Sequence, residues 1–387
     1  MDSAIYFQSL ELTNDQFPKN TIGNITDFHS VEGFPDVQQA QIAIIGVCEG
    51  RNALNNEGCA DAPNKVRNYL YKLFDHSNGL KIVDLGNIFP GNEVSDTYFA
   101  LSSTIAELLK LKIVPIILGG SQDLTFANYK AYEMVEQIIN IVSIDSEFDL
   151  GEQGEVLNSR SYLTKILLNQ PNYLFNFSNI GYQTYLVNND ALELMTKLFF
   201  DVYRLGEMRT NMEEIEPIVR NADMMSFDIS SIKQTDAPAN GNALPNGFYS
   251  EEACQIARYA GMSDKLTSFG LYEINPTLDI CDQTIKLAAQ IIWHFLDGFN
   301  YRKKDMPIFS KKDFVKYSVA IDDNDFNELV FYKSRKSDRW WMDIPYPPNK
   351  GSKYDRHHLV PCSYADYETA CKKEVPDRWW RTYQKLN

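Results

Sequence analysis

The stretch "NIVSIDSEFDLGE", residues 140–152, joins a buried strand to three closely spaced carboxylates. Its first half is apolar apart from small polar positions, which is typical of a strand covered on both faces. Asp145, Glu147 and Asp149 follow at alternate positions. Placing three acids together at the end of a buried strand is costly unless a positive charge lies among them. The stretch therefore raises the possibility of a metal site, although it contains no histidine.

Short apolar runs alternate with helical patterns from residue 41 to about residue 300. Runs such as "QIAIIGV" (41–47) predict strands, whereas apolar residues at helical spacing predict helices over 62–74 and 95–111. Strands that alternate with helices are the pattern of a parallel sheet with helices packed on it. We therefore predict a three-layer α/β fold, in which helices cover both faces of a parallel sheet.

Four of the predicted strands end in segments that contain carboxylates. These segments are "LGGSQD" (118–123), "IDSEFD" (144–149), "SFDISS" (226–231) and "LYEINPTLD" (271–279). In open α/β sheets, ligands bind beyond the carboxyl ends of the strands, so we look for the site there. The glycine pair in the first segment favours a tight backbone turn. A nucleotide site is not favoured, because the chain lacks GxGxxG and a following Lys-Ser/Thr pair.

Composition narrows the class of protein. The 387 residues are 44% apolar, which supports a core, and the net charge of −15 disfavours nucleic acid as a partner. No apolar run approaches the roughly 18 residues of a membrane span, so we expect no membrane insertion. The acidic N-terminus lacks a signal pattern, and we expect a cytoplasmic protein. The six cysteines are scattered without a Cys-x-x-Cys pair and are expected to be reduced thiols.

The four segments, in this order, resemble the motifs of the ureohydrolase superfamily, which includes arginase, agmatinase and formimidoylglutamase. The family motifs GGDHS, DAHxD, SxDxDxxDP and E-x-x-P correspond to them in turn. The earlier stretch "EGCADAPNKVRNYL" (57–70) is similar to the family's GAxxGPxxIR helix entry. The resemblance covers about residues 40–298. It implies an arginase-like fold, two manganese ions, and metal-assisted hydrolysis of a guanidinium or formimidoyl carbon.

The metal-ligand positions that the resemblance implies are degenerate in this chain. They are Gln122, Asp145, Glu147, Asp149, Asp228 and Ser230. Gln122 and Glu147 stand where the family has histidines, and Ser230 stands where it has an aspartate. The family's proton-shuttling histidine would fall near Ser161 or Tyr162, where the chain has none. We therefore expect that the dinuclear centre is lost and that a cofactor is absent.

A single hard cation is the other possibility that the sequence leaves open. Asp145, Asp149 and Asp228 would hold one Mn2+, Mg2+ or Ca2+, because an all-oxygen ligand set suits such ions. Without an ion, these carboxyls must be protonated, solvated or paired with basic side chains. Glu273 matches the family glutamate that receives the guanidinium group, so it is a candidate for binding a cationic group. Alternatively, Glu273 only begins a turn.

The chain is predicted to have three parts: an N-terminal lead (1–35), a ureohydrolase-like domain (36–300) and a C-terminal extension (301–387). The extension carries 18 Lys and Arg against 13 Asp and Glu, whereas residues 1–300 carry 19 against 39. Two "DRWW" pieces in the extension supply candidate partner contacts, namely Trp340, Trp341, Trp379 and Trp380. The extension either docks on its own acidic domain or mediates self-association or binding to a protein partner.

Two functions follow from the sequence. The first is a ureohydrolase-fold protein that has lost dinuclear manganese hydrolysis and acts as a binding or scaffolding protein. The alternative is a metal-dependent hydrolase of a guanidino or formimino compound with a rebuilt, all-oxygen metal site. The simultaneous change at both histidine positions and one aspartate position favours the first.

Overall fold

The structure is a computed structural model that describes residues 1–77, 79–152, 154–308, 312–321, 327–347 and 354–387. Within these residues the chain forms a ten-stranded sheet and a second, four-stranded sheet. The large sheet is parallel except at one edge, and helices cover both of its faces. The prediction of a three-layer α/β fold is therefore confirmed.

Ten strands of the described chain build the large sheet. They are β1 (Phe7–Gln8), β2 (Thr26–Phe28), β3 (Ile42–Val47), β4 (Ile82–Ile88), β5 (Val114–Leu118), β6 (Ile139–Ile144), β7 (Leu174–Tyr182), β8 (Asp201–Arg204), β9 (Met224–Asp228) and β10 (Ser268–Tyr272). Their order is β1-β4-β3-β5-β10-β9-β6-β7-β8, and β2 also pairs with β4. Successive side chains of β3 point to opposite faces: Ile42 and Ile44 join one core, and Ala43 and Ile45 join the other.

The helices of this domain pack in two layers. They are α1 (Ala62–Leu70), α2 (Val94–Lys110), α3 (Leu124–Met134), α4 (Tyr162–Leu168), α5 (Asn189–Lys197), α6 (Leu205–Thr210), α7 (Ile215–Arg220), α8 (Ser250–Gly261) and α9 (Gln283–Asn300). Helices α1, α7, α8 and α9 bury their apolar faces on one side of the sheet, while α2, α3 and α4 cover the other. Both layers leave the carboxyl ends of the central strands free for the site.

The N-terminal lead contributes to the large sheet. Strand β1 pairs antiparallel with β4, and β2 pairs parallel with the start of β4. These two short strands extend the edge of the large sheet. The exact domain limits stay a prediction.

The C-terminal extension folds as an antiparallel sheet with two helices. Its elements are β11 (Phe314–Ala320), β12 (Glu328–Ser334), β13 (Trp340–Asp343), β14 (Leu359–Cys362), α10 (Tyr364–Cys371) and α11 (Asp377–Leu386). The sheet, rather than its tryptophan content, defines this unit. Trp340, Trp341 and Trp379 are buried in the chain, whereas Trp380 is 43% exposed. Of these four, only Trp380 could meet a partner without rearrangement, and association through the extension stays a prediction.

Basic side chains of the domain and the extension join the two units. Arg220, at the end of α7, donates to the carbonyl oxygens of Trp340 and Cys362, and its guanidinium lies 4.4 Å from the ring centroid of Trp341. Arg381 of α11 pairs with Asp201 at 3.1 Å. The basic extension thus contacts the acidic domain within the same chain.

Candidate metal and amidine site

The four carboxylate-bearing segments meet at one edge of the large sheet. Strands β5, β10, β9 and β6 are consecutive neighbours, and their parallel registers align their carboxyl ends. Asp228 ends β9 and lies in register with Tyr272, the last residue of β10. Asp145 and Glu273 follow directly after the last residues of their own strands. The fold thus brings side chains from distant parts of the sequence into one cleft.

Close backbone passage explains the glycine pair after β5. A Cβ atom at Gly120 would overlap the carbonyl oxygen of Glu49, and one at Gly119 would overlap the ring of Tyr272. Only glycine fits where this segment passes its neighbours. This segment places Gln122 in the lining of the cleft.

All six predicted metal positions and Glu273 line the same cleft. Its lining residues are Gln122, Asp145, Ser146, Glu147, Asp149, Ser159, Arg160, Asp228, Ser230, Asn240, Asn242 and Glu273. The cavity has a volume of about 20 Å³. A space of this size holds a water molecule or an ion. A larger ligand therefore enters only if the cleft widens.

Four carboxyl groups in the cleft are buried without a cationic side chain. Asp145, Asp149, Asp228 and Glu273 are between 2% and 8% exposed. In the described part of the chain, no Lys, Arg or His lies within 4.0 Å of any of them. Buried carboxylates are normally paired with a cation or protonated. The cleft therefore has a deficit of positive charge.

Burial and mutual repulsion raise the pKa values of these groups. Burial is the main cause at Asp145, Asp149 and Asp228, and the charge of Asp145 raises the pKa of the other two further. Burial raises the pKa of Glu273 to about 7. Since carboxylates without a cation hold protons more strongly, the cleft has an electrostatic preference for a bound cation or for protons.

Hydrogen bonds orient the carboxylates of Asp145 and Asp228 but leave one oxygen of Asp149 without a donor. The backbone N–H of Glu147 donates to Asp145 at 3.0 Å, and that of Ser230 donates to Asp228 at 2.7 Å. Oδ2 of Asp149 is buried and, among the described residues, has no hydrogen-bond donor when the carboxyl is ionised. A proton shared between Asp149 and Asp145, or a bound cation, would satisfy it.

Gln122 occupies the first histidine position but faces the site with its amide nitrogen. Nε2 donates to Oδ2 of Asp145 at 2.8 Å. As the side chains stand, no three His, Cys, Asp or Glu groups among the described residues form a ligand set. Rotation of the Gln122 amide would turn its oxygen toward the cleft and free Oδ2 of Asp145. Asp123, nearby in sequence, does not line the cleft, because it accepts hydrogen bonds from the hydroxyls of Ser121 and Tyr98.

Glu147 occupies the second histidine position and pairs with Arg160. Nη2 of Arg160 lies 3.7 Å from Oε1 of Glu147. Burial raises the pKa of Glu147, and Arg160 opposes that effect. Sequence reasoning does not reveal Arg160, although it directly precedes Ser161, near which the resemblance places the shuttle histidine. Both residues belong to loops, and nothing in the local pattern indicates their contact.

Glu273 is held firmly from three directions. Its Oε1 accepts from the backbone N–H of Gln122 at 2.8 Å, and its Oε2 accepts from Nδ2 of Asn56 at 2.7 Å. Nδ2 of Asn240 donates to its backbone oxygen at 2.8 Å. Glu273 also has φ of 67°, a conformation that is sparsely populated for non-glycine residues and is concentrated at functional sites. Asn56 is a second residue that sequence reasoning missed, since its partner lies 217 positions away.

The site residues fit one hard cation better than a pair of manganese ions. None of the cleft-lining residues is a histidine; the five in the chain are His29, His76, His294, His357 and His358. The remaining donors are carboxylate, amide and hydroxyl oxygens, which suit Mg2+, Mn2+ or Ca2+. Oδ2 of Asp149, which has no hydrogen-bond donor among the described residues, is available as one ligand atom. Ser230 is a weak donor at the second position, where Glu147 is already paired with Arg160.

Comparison with known proteins identifies the family. A sequence model of the arginase family matches residues 40–297. The chain belongs to the arginase family. This confirms the resemblance to ureohydrolases that the motif order indicated.

Relatives with similar sequences include formimidoylglutamases from two bacteria. Formimidoylglutamase from Staphylococcus haemolyticus is 26% identical over 281 residues, covering 70% of this chain and 90% of the relative. Formimidoylglutamase from Bacillus subtilis is 24% identical over 280 residues, covering 66% and 86%.

Two solved structures share the fold. Formiminoglutamase from Trypanosoma cruzi, solved with Mn2+, superposes with a TM-score of 0.64 at 20% identity, covering 69% of this chain and 96% of that chain. Formimidoylglutamase from Bacillus subtilis gives a TM-score of 0.65 at 19% identity, covering 77% and 95%. In the part of the chain that the structure describes, no helix combines the length and apolarity needed to cross a membrane.

Proposed function

We propose that this protein hydrolyses a formimino or guanidino compound with the help of a single hard divalent cation. The observation that carries the proposal is the set of four buried carboxyl groups without a cationic partner among the described residues. Formimidoylglutamases among the relatives, and Mn2+ in the structure of one fold neighbour, support the hydrolase reading over the binding or scaffolding one.

The chemistry that a bound divalent cation supplies is the activation of a water molecule for attack on a polarised carbon. The carboxylates of Asp145, Asp149 and Asp228 would hold the cation. Backbone N–H groups already orient two of them, that of Glu147 on Asp145 and that of Ser230 on Asp228. These two donors need no rearrangement on binding, whereas Oδ2 of Asp145 becomes available only when the Gln122 amide rotates.

Glu273 would receive the amidinium end of the substrate. The hydrogen bonds that the Glu273 carboxylate accepts leave lone-pair capacity for an amidinium N–H donor. With a pKa of about 7, the free carboxyl is mostly ionised only at higher pH, and an adjacent amidinium would favour the ionised form. Because a cavity of about 20 Å³ holds only a water molecule or an ion, the cleft must widen to admit the amidinium beside the cation.

The test is hydrolysis by purified full-length protein incubated with Mn2+ or Mg2+. N-formimino-L-glutamate, arginine and agmatine are offered, and formamide, ammonia or urea is measured. Product release that is lost in Asp228→Asn and kept in the matched surface control Asp190→Asn supports the proposal. Absence of product with all three substrates, in protein shown to contain the cation, contradicts it.

The binding or scaffolding function remains the competing proposal. It rests on the changed ligand positions Gln122, Glu147 and Ser230. A protein that binds the cation or an amidine without turnover would favour it.

A further inference from the structure

The cleft contains one cationic side chain in its described lining, and that side chain lies at the second metal position. Arg160 is the only Lys, Arg or His among the described residues that line the cleft. Its Nη2 lies 3.7 Å from Oε1 of Glu147, which occupies the second histidine position. The positive charge is therefore beside the one acid that is new to this site, and not beside the retained aspartates.

Hydrogen bonds to backbone atoms fix the two loops that carry Arg160 and Glu147. The backbone N–H of Arg160 donates to Oδ1 of Asn158 at 2.8 Å, and the neighbouring Ser159 is tied to Asn52 through its backbone N–H at 3.0 Å. The backbone oxygen of Glu147 accepts from Nδ2 of Asn179 at 2.7 Å. The two loops thus present the guanidinium and the carboxylate to each other at the mouth of the cleft.

We infer that the guanidinium of Arg160 takes the place of the second metal ion. It neutralises Glu147, occupies a carboxylate that a second cation would need, and repels a second divalent ion. The inference rests on the proposed function, because it assigns only one cation to the retained aspartates. It also explains how a histidine position can hold glutamate without adding an unpaired charge.

Mn2+ binding to the full-length protein tests this inference without measuring activity. Titration calorimetry gives the number and affinity of ions, and electron paramagnetic resonance distinguishes a single Mn2+ from a coupled pair. The variants are Arg160→Gln, Arg160→Lys and the double variant Arg160→Gln/Glu147→Gln. Arg160 and Glu147 have side chains 43% and 29% exposed, so these variants should fold, which circular dichroism checks.

The affinity of Arg160→Gln for a second Mn2+ should be at least about fivefold higher than that of the wild type. The double variant should lose this gain, and Arg160→Lys, which keeps the charge, should resemble the wild type. An Arg160→Gln isotherm identical to the wild-type isotherm overturns the inference, as does a wild type that already binds a coupled pair.

The same data separate this inference from the proposed function. A wild type without Mn2+, combined with Glu147-dependent binding of one ion in Arg160→Gln, supports the role of Arg160 and contradicts the single-cation hydrolase. One ion in the wild type and no change in Arg160→Gln contradicts the role of Arg160 and leaves the single-cation site standing. No binding in any variant overturns both.

Discussion

Replacing Glu273 by glutamine should reduce the pH dependence of the stability of the metal-free protein. Burial raises the pKa of Glu273 from 4.5 to about 7 in the folded chain. The folded state therefore keeps this proton over a pH range in which the unfolded chain has lost it. The stabilisation is fully present below pH 4.5 and is lost as the pH rises through about 7. At about 1.4 kcal/mol per pH unit, this interval corresponds to about 3 kcal/mol of unfolding free energy.

Urea unfolding of chelator-treated protein between pH 5 and pH 8, followed by tryptophan fluorescence, measures this effect. The wild type should lose up to about 3 kcal/mol more than Glu273→Gln over the range. Asp145 and Asp149 are present in both proteins, so the difference reports mainly on Glu273. The matched control Glu193→Gln, at a side chain 67% exposed on α5, should behave as the wild type. Equal losses in the wild type and Glu273→Gln would refute the argument that Glu273 is buried without a cation.

Three further predictions concern the metal position and the extension. Asp145→Asn should weaken Mn2+ binding more than about 100-fold in titration calorimetry, and unchanged binding would place the ion elsewhere. Trp379→Ala should lower the free energy of unfolding by about 3–5 kcal/mol in urea titrations, because Trp379 is fully buried. The control Trp380→Ala, at an exposed position of the same helix, should change it by less than about 0.5 kcal/mol. Arg220→Met should lower the free energy of unfolding by about 3 kcal/mol. The reason is that carbonyl oxygens of β13 and β14 lose their hydrogen-bond donor and Glu216 loses its ion-pair partner. An unchanged free energy of unfolding would mean that the junction does not depend on this side chain.

The sequence predicted the fold because the decisive patterns are local. The apolar run of β3 and the helical spacing of α2 are visible within short windows, and a parallel sheet then brings the strand ends to one edge. Strands β1 and β2 escaped prediction because two or three residues carry no recognisable period. Their positions depend on pairing with β4, which only the folded chain supplies.

The contacts that define the site were less accessible to sequence reasoning. Asn56 meets Glu273 across 217 positions. The side-chain amide of Gln122 could face Asp145 with either its oxygen or its nitrogen, and the residue type alone does not decide between them. Motif positions therefore predicted which side chains gather in the cleft, but not how their charges are balanced.

Charge balance gives a physical reason for the pattern of changes. The resembled family places four carboxylates at six ligand positions, opposite two divalent ions. Here Glu147 adds a carboxylate and Ser230 removes one, so four acids remain at these positions. One divalent cation and the guanidinium of Arg160 would together offset three of these four negative charges. A second divalent ion would leave an excess of positive charge beside Arg160. The substitutions at Gln122, Glu147 and Ser230 therefore conserve the charge of the site while reducing the number of ions it can hold.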